Sequence, residues 1–213
     1  MFLCCVLHLN GQSGNVMTEI RAGHNTVYGG FASISLDASY DLKQHMSISG
    51  GIQYNTIGKF STEVRPAYFH ALDWGKISAE AMLHYSNVHT INNFAVGAGI
   101  ALSSRWIYCK AGYYFRAFGS RAGFINEPFN IFYKFSVNCL PMISRWDLQL
   151  YLTNCETFEL ERHYQPSFVA QCWYYPTGKI GLTLGASYKP AGMFHLSSDY
   201  YQIYTKAGVC YRW

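Results

Sequence analysis

Over most of this chain every other residue is apolar, in segments of about ten residues. The stretch 200–213 shows the pattern plainly: Tyr201, Ile203, Ala207, Val209, Tyr211 and Trp213 alternate with Gln202, Tyr204, Lys206, Cys210 and Arg212. Successive side chains of a strand point to opposite faces, so a period of two builds one apolar and one polar face. The same alternation marks 30–42, 46–55, 60–71, 77–86, 94–102, 106–118, 129–140, 146–153, 167–175 and 180–188. Turn residues separate these segments, among them Gly58 and Gly75, where a positive φ is expected. A chain written this way is committed to antiparallel sheet.

Two soluble and membrane solutions share that periodicity, and composition separates them. Charged residues make up 13% of the 213 residues and aromatic residues 17%, whereas a soluble domain carries roughly 25% charge. The mean hydropathy is only -0.02, and outside the N-terminus no apolar run nears the ~18 residues of a spanning helix. A lipocalin-like barrel would put its polar faces in water, rich in Lys and Glu. Here those faces hold Ser, Gly, Thr, Asn, Gln and Tyr with scattered charges, which suits a lumen. The expected fold is therefore all-β, an antiparallel up-and-down transmembrane β-barrel. Single-chain barrels of this class have an even strand number, so 16–22 is read as a further strand, giving about twelve, with ten as the alternative.

No composition shift divides the chain, so 14–213 is read as one barrel domain. The short apolar stretch 2–9, followed by Gly11, Gln12 and Ser13, is read with residues 1–13 as the remnant of a signal peptide. Cys4 and Cys5 would leave with it; Cys109, Cys139, Cys155, Cys172 and Cys210 lack metal-ligand spacing. The net charge of +4, without any Lys/Arg run, argues against a nucleic-acid partner.

The aromatic strand that stops on Trp213 resembles the closing strand of bacterial outer-membrane β-barrels, where such a strand is similar to the signal read by the insertion machinery. The resemblance implies a Gram-negative outer membrane and contact with its lipids and lipopolysaccharide. With Trp213 taken as periplasmic, the turns near 41–43, 73–75, 103–105, 141–144 and 176–178 are periplasmic by parity. Those near 21–26, 55–59, 87–93, 119–127, 155–165 and 190–199 are then extracellular and, except for 55–59, the longer set. Pro128, Pro166, Pro176 and Pro190 sit at strand ends or turns, while Pro66 falls inside a strand, where a bulge or local break is expected. Ala95, Gly97, Gly99 and Ala101 leave one inner face nearly bare, with room for Tyr108 and Tyr114, a loop or a ligand.

The lumen-lining candidates are Glu63, Arg65, Glu80, Lys110, Arg116, Lys134, Asp147, Lys206 and Arg212. Mixed charges in a narrow lumen form either a salt-bridge network that plugs it or an eyelet that weakly favours anions. His84-Tyr85-Ser86-Asn87 resembles the H-x-S-N motif of outer-membrane lipid A deacylases, in which a His activates a Ser that attacks an acyl ester. The resemblance would make His84, Ser86 and Asn87 catalytic. It departs from the family in lying mid-chain, on the lumen face; His195-Leu196-Ser197-Ser198 lacks the Asn. His24, His84, His89, His163 and His195 come from separate loops with no paired spacing, and Glu156, Glu159 and Glu161 with Arg162 and His163 read as a solvated loop. No metal or cofactor is expected. The leading reading is a barrel without enzymatic activity, acting as a narrow channel or as an accessory or scaffold subunit that meets protein partners in an outer-membrane complex. An open pore for small solutes and a lipid hydrolase are the alternatives.

Overall fold

The computed structural model describes residues 13–43, 45–120, 122–139, 145–154, 165–191 and 200–213. Twelve antiparallel strands follow one another: β1 (Gly14–Asn25), β2 (Gly29–Lys43), β3 (Met46–Asn55), β4 (Lys59–Leu72), β5 (Gly75–Val88) and β6 (Ile91–Ser103). β7 (Ile107–Ser120), β8 (Gly123–Asn138), β9 (Trp146–Thr153), β10 (Ser167–Tyr174), β11 (Ile180–Pro190) and β12 (Tyr200–Arg212) complete them. Each pairs with its chain neighbours, and β1 pairs with β12 from Asn15 opposite Arg212 to Asn25 opposite Gln202, closing the barrel. Closure leaves no unpaired edge, which is what lets strands cross lipid.

The alternation read from the sequence is the alternation of exposure. Ile34, Leu36, Ile52, Val96, Ile100, Leu184, Ile203 and Val209 are exposed on the outer wall, while Ser33, Ser35, Ser86, Asn93, Gln171 and Thr183 are buried inside. Large apolar side chains outside and polar ones inside is the reverse of a water-soluble barrel. Tyr201 departs from expectation. It was assigned to the lipid face, but it is 1% exposed. The β11–β12 register slips between Lys189 and Pro190, and the Lys189 Nζ lies 5.4 Å from the Tyr201 ring centroid.

One end of the barrel carries Gly14, Trp213 and the connections 44–45, 73–74, 104–106, 139–145 and 175–179; we call it the terminal end. The opposite, loop end was expected to carry the longer connections. That holds for 154–166 and 191–199 and fails for 89–90 and 121–122, because the strands run on through residues taken as loop. Arg21, read from the sequence at the junction of the strand 16–22 and the loop 21–26, is well inside β1. Two hairpins here share one design: Asn25 Oδ1 accepts from Val27 N at 2.8 Å and Asn55 Oδ1 from Ile57 N at 3.1 Å. Gly29 and Gly58 then take positive φ, which no side chain penalises.

Apart from a shift between Asp41 and Lys43 at the end of β2, the ladder faults involve proline. At Pro66 the β4–β5 pairing lapses between Val64–Leu83 and Ala67–Glu80 without a change of register, as a residue with no N–H to donate requires. Pro128 is not at a strand end as expected but inside β8, where the register shifts between Tyr114 and Arg116 of the facing strand.

Candidate functional site

The inner wall carries a small apolar cluster on one side and a polar belt on the other. On β5 to β8, Met82, Ala95, Tyr114 and Phe132 form a buried cluster, each no more than 3% exposed. The bare stripe makes this packing feasible. Gly99 pairs with Gly112, and the Phe132 ring covers both so closely that a Cβ would lie 2.6 Å and 2.4 Å from its Cζ. Tyr114 packs likewise at Gly97. The expected occupant Tyr114 is therefore present, but the second is Phe132 rather than Tyr108.

The opposite side is a hydrogen-bonded belt over five neighbouring strands. Glu19 on β1 accepts from Arg21 Nη2 at 3.0 Å and faces Lys206 Nζ on β12 at 3.6 Å. Lys206 donates to Tyr151 Oη on β9 at 2.8 Å. Gln171 on β10 joins them, donating through Nε2 to Glu19 Oε1 at 3.4 Å and to Thr183 Oγ1 on β11 at 2.7 Å. Glu19 is 1% exposed. A carboxylate so deeply placed is sustained by two cations and a donated amide proton together.

Two cavities lie inside the barrel among the described residues. The larger, about 420 Å³, lies against the belt and is bordered by Glu19, Arg21, Asp37, Glu63, Arg65, His84, Lys134 and Lys206 among others. The second, about 280 Å³, is bordered by Arg65, Lys76, Glu80 and Lys110 with serines and Tyr108. It sits toward the terminal end, next to the turns that follow Lys43, Leu72 and Ser103. Arg65 borders both. Its Nε is 2.6 Å from Glu63 Oε1, and Glu63 Oε2 is 3.7 Å from His84 Nδ1. Arg65 adjoins the lapse in the β4–β5 ladder.

The remaining lumen candidates fall as follows. Glu80 and Lys110 form an ion pair. Lys134 Nζ lies 4.1 Å from the Tyr151 ring centroid. Arg116, 1% exposed, reaches Asn93 Oδ1 at 2.8 Å and Glu127 at 3.3 Å. Asp147 is half-buried near the terminal end. Arg212, exposed at that rim, donates to Tyr175 Oη at 2.5 Å. Burial pushes the Tyr175 phenol above its ordinary range, with the nearby Arg212 working the other way. Glu19, Arg21, Asp37 and Lys76 border the cavities but were not among the candidates. The period-two rule applied to 14–25 would have found the first two.

His84 and Ser86 both face inward and are 7% and 1% exposed. Ser86 Oγ accepts from Asn93 Nδ2 at 3.1 Å, so it belongs to the Asn93–Arg116–Glu127 chain, and His84 faces Glu63. Asn87 Nδ2 donates to Asn92 Oδ1 at 2.9 Å. Ser86 is thus buried on the inner side of the wall, away from the face that the exposed apolar residues mark as lipid-facing. His24 is exposed and His89 occupies a hairpin at φ 54°, while His163, His195, Ser197, Ser198, Cys4, Cys5, Cys155 and Glu156 to His163 lie outside the described residues, as does the segment 1–12.

No family model matches the chain, and no curated protein matches it. Solved structures do. The KdgM porin superposes with a TM-score of 0.59 at 10% identity, over 92% of this chain and 98% of that one. The translocator domain of the autotransporter NalP from Neisseria meningitidis gives 0.58 at 10% identity, over 98% and 90%. The NanC porin gives 0.57 at 12% identity, over 91% and 98%. With its apolar outer wall, the molecule has the fold of a bacterial outer-membrane β-barrel. Porins and a translocator share that fold, so the activity must be argued from the lumen.

Proposed function

We propose that this barrel is a narrow passive channel for small polar solutes across the outer membrane. One observation carries the reading: two polar, charge-lined cavities lie inside the barrel and share Arg65 as a common wall. A structural plug needs side chains in van der Waals contact across the lumen, and the Phe132–Tyr114 cluster does that on one side only. Beside the belt, and again toward the terminal end where β3 to β7 line the smaller cavity, water-sized space runs beside fixed charges, an arrangement that lowers the barrier to a hydrated solute. The likeness in fold to porins is consistent with this, and the twelve strands give a bore between filled eight-stranded barrels and open sixteen-stranded ones.

Arg65 is then the constriction. Reconstitution of the full chain into planar bilayers in molar potassium chloride tests the reading. Small, steady single-channel steps are expected, and Arg65→Ala should enlarge them. A silent barrel, with the folded state verified by its heat-dependent gel mobility, would sink the channel reading.

A further inference from the structure

We propose that the terminal-end cavity is a binding site for a small inorganic oxyanion, phosphate or sulfate. The site was not among the sequence candidates as a unit, and the channel reading enters only as its route of access. Three cations, Arg65, Lys76 and Lys110, border about 280 Å³, and Glu80 is the single carboxylate on its wall. Even with Glu63 included, which pairs with Arg65 from the other cavity, the local charge stays positive. The larger cavity sets four cations against three carboxylates, the same surplus of one spread over about 420 Å³ in place of about 280 Å³.

The remaining wall suits the same ligand. Ser47, Ser49, Ser78 and Ser103 supply hydroxyls, which donate to an oxyanion without adding charge. Arg65 offers planar paired N–H groups that match two oxygens of a tetrahedral anion, and the lysines act as point charges. A water occupies roughly 30 Å³ of liquid, so the volume has room for one phosphate with part of its hydration shell. Apolar strand walls around such a cavity focus its field instead of screening it. Glu80 fixes one cation: it holds Lys110 at the wall, leaving Lys76, stacked 3.5 Å above the Phe69 ring, and Arg65 to close on the anion.

Phosphorus NMR of inorganic phosphate with the full chain folded in detergent micelles tests the site. Saturable line broadening that sulfate reverses is expected. Lys76→Gln should weaken binding about tenfold, the loss expected of one charge-assisted contact. Lys110→Gln removes a second cation and leaves Glu80 facing the cavity without its partner, so it should weaken binding too, which covers failure of the first variant to fold. Lys179→Gln, on an exposed turn at the same end, should change nothing. Absence of saturable broadening, or full binding by both cavity variants, overturns the site. A barrel silent in bilayers that still binds phosphate would overturn the channel and keep the site; a conducting barrel that ignores phosphate would do the reverse.

Discussion

The two sides of the inner wall solve the same problem in opposite ways. From β5 to β8, Met82, Ala95, Tyr114 and Phe132 fill the lumen by close packing over glycines. From β9 through β12 to β1, Tyr151, Gln171, Thr183, Lys206 and Glu19 satisfy one another by hydrogen bonds and leave space beside them. Packing makes a wall that solutes cannot enter, and pairing makes one they can pass along. On the proposed channel reading, a barrel with both has a path displaced to one side of its axis, narrower than its strand number suggests.

The largest effect on this contrast is expected from Phe132→Ala, which turns the packed side toward the open one. Loss of a buried aromatic should cost about 3–5 kcal/mol, measured by denaturant unfolding of the barrel in phospholipid vesicles, and should raise single-channel conductance. Unchanged stability would mean that the apolar cluster is not packed in the membrane. Glu19→Gln attacks the other side by leaving Arg21 and Lys206 without their shared carboxylate. Because these groups border a wet cavity, the expected cost is about 1–3 kcal/mol, below that of a dry ion pair. The reversal potential in a salt gradient should move toward anion preference, and a shift the other way would contradict the charge accounting. The smallest effect is expected from Ser86→Ala, which removes one acceptor beside the packed cluster and should cost about 1 kcal/mol or less. The acyl pattern of lipid A in cells carrying either form should be the same by mass spectrometry. A difference would return His84 and Ser86 to chemistry.

Alternation made the strands and their faces legible, because a period of two is a local property and the lipid selects one face along the whole wall. Pro66 announced its ladder break for a similar reason, being defined by a group it lacks. What fills the lumen was less legible. Phe132 shares a face with Lys134 and Ser136, and an aromatic residue on a polar face gives no sign of whether it packs or hangs in water. Its answer lies in the register that sets Gly99 opposite Gly112, a fact of pairing between strands and not of either strand alone. Glu19 and Arg21 went unread because their strand was placed by the parity of the count, without its faces being resolved. Tyr201 was misassigned because a slip at Pro190 interrupts the rule by which its face was read.

The seam between β1 and β12 also governs the time course of assembly. It joins Asn15 to Arg212 and continues for eleven residue pairs, the contacts most distant along the chain. Bringing such remote ends together carries the greatest loss of chain entropy, so these pairings form late and slow the whole process. Until then the first and last strands expose two unsatisfied rows of amide and carbonyl groups, open to pairing with any other strand. The growing barrel is thus most vulnerable to aggregation just before it shuts, and whatever shields those two rows in the cell decides how much of it arrives intact.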